Sequence, residues 1–306
     1  MALSHIEPLK LTTGELAKRL QDFQREYLRE KSADTVGTYS RALREFERWF
    51  AEQADTFRFS EDGVRAYKTY LMETRSLSEA SVSTYLTAFR QFCQYLVVIG
   101  LMDKNPALAV KGNRRPLSHS RAVLTEADIR QLLRVLDDTT LLGKRDQAMV
   151  YLMLYAGLSE IEVVRADVRD IDRMLDGTFL RVQGKGRAGK DRQAPLDPPV
   201  IEKIERYLEA RDSVLPEHPL FVSHGHRSNG QRLNTRSVRS RINRCLAAAN
   251  LKRSGVSPHS LTHTAPLIWL NKGMGIEEVM KRMRHGTRDT TLIYSRKQSL
   301  LQENPE

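Results

Sequence analysis

Apolar side chains recur every three or four residues through the first third of the chain. Leu16, Leu20, Phe23 and Tyr27 fall on one stripe, and Tyr39, Leu43, Phe46 and Phe50 on another after Ser32 and Asp34. That period belongs to amphipathic helices with one buried face. A third helix is predicted over about 60–74. A fourth starts near Ser78, with Ser81 rather than Glu at N3, and carries Val82, Tyr85, Leu86, Phe89, Phe92, Leu96 and Val97. Asn105-Pro106 closes this group, because proline disfavours helical geometry in the residue before it. Residues 111–120 then lose all periodicity and are rich in Gly, Pro, Ser and basic side chains, as a linker would be. The pattern predicts a helical domain over 1–106, a linker over 107–122 and a second domain over 123–306.

The second domain mixes periods. Thr125 is a predicted N-cap with Glu126 and Asp128 in the first turn, followed by the stripe Ile129, Leu132, Leu133 and Leu136. Residues 145–156 are apolar nearly all round after their first turn, which predicts a buried helix. Phe179 to Gln183 and Arg192 to Leu196 read as two strands joined by the loose turn Gly184 to Lys190. Helices return around 198–211, 235–249, 261–272 and 276–284, and no internal repeat is visible. The predicted fold class is mostly α, with a small antiparallel sheet in the second domain.

Composition narrows the function. A length of 306 residues with 40% apolar residues supports two ordinary cores. The most apolar segment, Ala148 to Leu158, is about half the ~20 residues of a membrane span, so no membrane partner is expected. The N-terminus lacks the basic and apolar regions of a secretory signal. Cys93 and Cys245 offer neither metal spacing nor a disulfide framework, which fits a reducing cytoplasm. The net charge of +11 favours a polyanionic partner. It is unevenly placed: residues 1–116 hold 18 Lys/Arg against 15 Asp/Glu, the remainder 31 against 23. From His218 to Ile276 there is no acidic residue, while Arg232, Arg236, Arg239, Arg241, Arg244, Lys252 and Arg253 lie within it. Ordinary surfaces intersperse both signs. A long acid-free stretch therefore points to neutralisation of nucleic-acid phosphates.

Five motifs carry the candidate chemistry: Ala156-Gly157-Leu158-Ser159-Glu160-Ile161-Glu162, Val182-Gln183-Gly184-Lys185-Gly186, His259-Ser260-Leu261-Thr262-His263, Arg284-His285-Gly286-Thr287 and Thr290-Thr291-Leu292-Ile293-Tyr294. In order and spacing they resemble the tyrosine recombinase (phage integrase) family, and the N-terminal helices resemble its SAM-like core-binding domain. The resemblance implies an α+β catalytic domain and DNA strand exchange through a 3′-phosphotyrosyl intermediate, which conserves bond energy and requires no cofactor or metal. Tyr294 matches the nucleophile. Lys185 matches the hairpin lysine that protonates the leaving 5′-oxygen. His259 and His263 match the two histidines of the H-x-L-R-H motif, His285 the later His/Trp position, and Glu162 the acid following the first arginine. Without the resemblance, Tyr294 would read as a half-buried packing residue. His259 and His263 could equally pair on zinc, although no third ligand is apparent. Arg187, Lys190, Arg192, Arg236, Arg239 and Arg241 are assigned to DNA contact. The implied partner is double-stranded DNA with inverted half-sites, bound by a self-associating protein that forms a tetrameric synapse.

The chain departs from the family where charge matters most. Ser159 and Thr262 stand where the family has its two catalytic arginines, and neither can supply a bidentate, permanently charged donor. Pro266 falls early in the helix carrying His263, where it deletes a backbone hydrogen bond. Three explanations fit these residues: DNA binding with chemistry lost, replacement by another arginine (Arg165, Arg169, Arg284, Arg288 or Arg296, with Arg284 the best placed), or a slow reaction by the groups that remain. A binding protein acting as a regulator or accessory factor is the alternative function.

Overall fold

The computed structural model describes residues 7–31, 33–112, 122–184, 187–225 and 228–303. The chain divides into two compact units, Met1–Pro116 and Leu117–Glu306.

The first unit is a bundle of α1 (Thr13–Asp22), α2 (Ala33–Gln53), α3 (Glu61–Thr69) and α4 (Glu79–Val98). Thr12 caps α1 in a capping box with Glu15, and Ser78 caps α4 by accepting from the Ser81 N–H. α1 and α3 each run on into a π-helical turn, Phe23–Tyr27 and Tyr70–Thr74. The predicted stripes form the core: Leu16, Leu20, Phe23, Leu43, Phe46 and Phe50 are all buried with Phe89 and Phe92 of α4. Phe46 sits at the centre, its ring centroid 4.4 Å from Phe89 and 5.0 Å from Tyr67. The core continues past Asn105-Pro106 to Ala107 and Val110, because Arg90 donates to the carbonyls of both. Most of the predicted linker, 113–121, lies outside the described residues.

The second unit is built around α6 (Leu141–Tyr155), the predicted apolar helix, with Ala148 to Val150 and Leu152 to Leu154 fully buried. The polar residues of its second turn are buried too: Arg145 donates to Asp146 and to the Val222 carbonyl. Around it stand α5 (Glu126–Arg134), capped by Thr125, α7 (Glu160–Arg165), α8 (Pro198–Glu209), α9 (Thr235–Ala248), α10 (Pro258–Asn271), α11 (Ile276–Met283) and α12 (Arg288–Glu303). The antiparallel sheet has order β1-β2-β3 over Ile171–Met174, Gly177–Val182 and Arg192–Leu196, with Leu180 opposite Ala194. The edge strand β1 and the helices α7 and α12 add to the predicted elements.

α10 begins at Pro258, earlier than predicted, and runs through Pro266 unbroken. Pro266 therefore lies in the third turn, where the bond it deletes is the one to the Thr262 carbonyl.

Candidate active site

The site gathers where the N-terminus of α7 meets α10, α11 and α12. Gly157 opens the turn into α7 at φ +63°, and a Cβ there would lie 2.9 Å from Met283 Sδ and 3.0 Å from Trp269. Ser159 follows as N-cap. Its N–H and hydroxyl both donate to Glu162 Oε2, at 2.7 and 2.8 Å. Ser-x-x-Glu is the spacing of a capping box, so the helix start was legible here. Thr262, on α10, donates its hydroxyl to the Leu158 carbonyl at 2.7 Å. Both residues at the arginine positions thus spend their hydroxyls inside the protein: Ser159 caps α7, and Thr262 ties α10 to the turn before it.

Tyr294 lies on α12, which packs on α10 and α11, and it is only 2% exposed. Its hydroxyl shares a 2.6 Å hydrogen bond with His263 Nδ1. The ring stacks between His263 and His285, with centroids 6.0 and 6.1 Å away. His285 Nδ1 in turn shares a 2.9 Å hydrogen bond with Thr291. An imidazole whose Nδ1 accepts from the phenol can take its proton as the oxygen attacks. The ordinary phenol pKa is about 10, so such an acceptor favours the reaction at neutral pH.

Two ion pairs flank this centre. Arg284 occupies the C-cap of α11 at φ +59°, in the left-handed conformation that usually selects glycine. Its guanidinium donates from Nε and NH2 to the two Glu162 oxygens at 3.0 and 3.2 Å, and also to the carbonyls of Gly157 and Arg282. Both charged side chains are buried, 7% and 9% exposed. These bonds take up all but one of its N–H groups. Arg284 therefore neutralises Glu162 and locks α11 onto α7. On the other side, Arg239 of α9 donates to both oxygens of Glu160, from Nε at 3.2 Å and NH2 at 2.8 Å. His259 Nε2 lies 3.5 Å from the same carboxylate. Glu160 was not singled out from the sequence. It is one residue from the vacant arginine position and only 4% exposed.

The remaining residues separate clearly. Lys185 lies outside the described residues. Two of the expected DNA-contacting cations also meet internal carboxylates. Lys190 pairs with Asp167 and Asp170, and Arg241 with Asp146, so their charges hold the β2–β3 turn and the α6–α9 contact together. Burial raises the Asp167 carboxyl, but Arg232 and Lys190 outweigh it and hold the pKa below the usual range. Arg187 pairs with Asp191 and stays half exposed. Arg192 and Arg236 are exposed. Of the other candidate replacements, Arg165 donates to the carbonyls of Gln183 and Gly184 and Arg288 pairs with Glu277. Among the described residues there is no cluster of three His, Cys, Asp or Glu suited to a metal, and no helix long and apolar enough to cross a membrane.

A helical unit followed by an α+β unit with a histidine-flanked tyrosine on its last helix defines a class: two-unit proteins with a buried tyrosine as candidate nucleophile. Comparison with known proteins gives the family. Residues 122–300 match the phage integrase family model, and residues 20–100 its N-terminal SAM-like domain. The tyrosine recombinase XerC of Neisseria meningitidis serogroup B is 32% identical over 287 residues, 92% of this chain and 91% of that protein. That of Pelobacter propionicus is 29% identical, over 87% of this chain and 86% of that one. The chain belongs to the phage integrase family. Two DNA-bound structures share its fold. The XerH site-specific recombinase on a palindromic difH substrate superposes with TM-score 0.69 at 18% identity, covering 95% of this chain and 84% of that one. A lambda integrase dimer on a COC′ core site does so with TM-score 0.68 at 14% identity, covering 89% and 96%.

Proposed function

We propose that this protein binds duplex DNA at paired inverted half-sites and breaks and rejoins it through Tyr294. The tyrosine oxygen attacks a backbone phosphate, forming a 3′-phosphotyrosyl bond as the 5′-oxygen leaves, and a 5′-hydroxyl later reverses the step. The observation that carries this reading is the 2.6 Å hydrogen bond between Tyr294 and His263, beside the stacked His285. It supplies a nucleophile and a proton acceptor in one buried place. Lys185 is the proposed proton donor to the leaving oxygen, and His259 and His285 contact the phosphate. Exposed Arg236, Arg187 and Arg192 add backbone contacts, and copies of the chain assemble into a tetrameric synapse in the cytoplasm. The relatives named as tyrosine recombinases and the DNA-bound neighbours support this reading.

A second reading, DNA binding without cleavage, is favoured by the inward-turned Ser159 and Thr262, which give the phosphate no charged donor. A nicked suicide duplex carrying DNA that flanks the gene separates the two readings. A covalent protein–DNA band that disappears in Tyr294→Phe supports breakage. Footprinting on paired half-sites with no such band supports binding alone.

A further inference from the structure

One buried carboxylate is met by basic side chains from two helices. Arg239, on α9, fixes the Nε and NH2 edge of its guanidinium on Glu160, and His259, on α10, reaches the same carboxylate. Glu160 is buried as the first residue of α7, behind the Ser159 cap. Its partner is not buried with it: the Arg239 side chain is 52% exposed, and NH1 has no partner among the described residues. Arg239 also lines a shallow groove of about 480 Å³ with Arg236, Asn243, Arg244 and Lys252. A planar guanidinium can serve two anions on separate edges, and fixing one edge preorganises the other.

We propose that Arg239, steered by Glu160, binds the DNA phosphate at His259 and supplies the guanidinium that positions 159 and 262 lack. The proposal rests on the DNA-binding reading above. Its location is specific. Glu160 adjoins Ser159, and His259 lies one turn before Thr262, whose hydroxyl ties α10 to the turn before α7. Arg284, the better placed candidate in sequence, has almost all its donors committed to Glu162 and two carbonyls. Arg239 reaches the carboxylate beside position 159 with its NH1 edge unpaired among the described residues. A phosphate arriving there shares His259 with Glu160 and takes the outer edge of Arg239, and no covalent change is required.

The test is a phosphate scan of binding, which needs no cleavage. A duplex is selected from a randomised pool with the full-length protein. Each phosphate is then replaced in turn by neutral methylphosphonate. Dissociation constants are measured for the wild type, Arg239→Ala, Arg239→Lys and Arg284→Ala. On unmodified DNA, Arg239→Ala should weaken binding roughly tenfold, the scale of one charged hydrogen-bonded contact. At one position, where the methylphosphonate has already removed the negative charge, that loss should vanish. Arg239→Lys, which keeps charge but not the fork, should fall between. Arg284→Ala should show no position at which its effect vanishes. Because each pattern is read within one variant, partial unfolding scales all duplexes alike and leaves the pattern intact. An Arg239→Ala loss that is equal at every position would overturn the proposal, assigning Arg239 to structure or diffuse attraction. Failure of the wild type to bind any duplex would instead overturn the DNA-binding reading and this proposal with it.

Discussion

Arg284 should matter for stability rather than for substrate. Replacing it with alanine removes the partner of a carboxylate that is 9% exposed and leaves Glu162 charged in a buried setting. Breaking a buried pair from one side costs about 3–5 kcal/mol. The backbone adds a distinguishing feature. Arg284 sits at φ +59°, where a residue with a Cβ is strained by about 1–2 kcal/mol and glycine is not. Arg284→Gly should therefore unfold about 1 kcal/mol later than Arg284→Ala, although it removes one atom more. Adding Glu162→Gln to Arg284→Ala should recover more than half of the loss, since the amide oxygen still caps Ser159 while the orphan charge is gone. Urea unfolding followed by Trp269 fluorescence, in a Trp49→Phe background, reports the second unit alone, since Trp269 is buried there beside Met283. An Arg284→Ala midpoint within about 0.5 kcal/mol of wild type would refute the reasoning. Loss of DNA cleavage at unchanged stability would return Arg284 to the phosphate.

Four further outcomes are expected. Binding to DNA should be strongly salt dependent. If 6–10 phosphates are neutralised, affinity falls about 10³–10⁵-fold from about 50 to 200 mM salt, and charge reversal of Arg236 and Arg244 should flatten the slope by roughly 0.9 per lost contact; a slope near zero would remove the acid-free stretch as a DNA face. Ser159→Arg with Thr262→Arg gives up the N-cap, at about 0.5–2 kcal/mol of stability, yet should raise covalent adduct formation at least about tenfold, since Arg239 stands in for only one of the two missing guanidiniums and a restored donor contributes roughly 2.7–4 kcal/mol at the transition state; an unchanged rate would mean that Arg239 alone meets the phosphate charge. Burial tends to raise the Asp128 carboxyl, but Arg253 and Thr125 hold it below the usual range. Its contribution is thus present above the unfolded value near 3.9 and lost as pH falls below it, so Asp128→Asn should lower stability at pH 7 and flatten the acid limb of a stability–pH curve. Burial pushes the Cys245 thiol up to about 11 and raises Cys93 further, so buried Cys93 should not react with iodoacetamide at pH 8 until urea unfolds the chain, and half-buried Cys245 should react far more slowly than a free thiol; rapid native labelling of Cys93 would contradict its buried placement.

The fold was largely legible because its cores are written as periodic stripes. Leu16 to Phe50 and the α6 run needed only the helical period and an apolar face. What escaped was short or conditional. α7 is six residues long and shows no stripe of its own, and its Ser-x-x-Glu cap is the signal that would have revealed it. β1 is half exposed and is specified by its pairing with β2 rather than by its own alternation. In the site, Tyr294, His263 and His285 were singled out by the family resemblance that the order and spacing of the motifs carry. Partner choice was not legible there. Whether a basic side chain also meets an internal carboxylate depends on acids distant in sequence, as with Lys190 on Asp167, Arg241 on Asp146 and Arg239 on Glu160. An acid-free stretch looks unpaired only along the chain.

The central claim is that Tyr294 forms a bond to DNA. The most direct measurement is mass spectrometry of the peptide trapped on a nicked suicide duplex after nuclease and protease digestion. The account predicts a nucleotide phosphate attached at Tyr294, absent from Tyr294→Phe although that variant still binds the duplex. Full binding of the wild type with no modified tyrosine, or an adduct that persists in Tyr294→Phe, would contradict it.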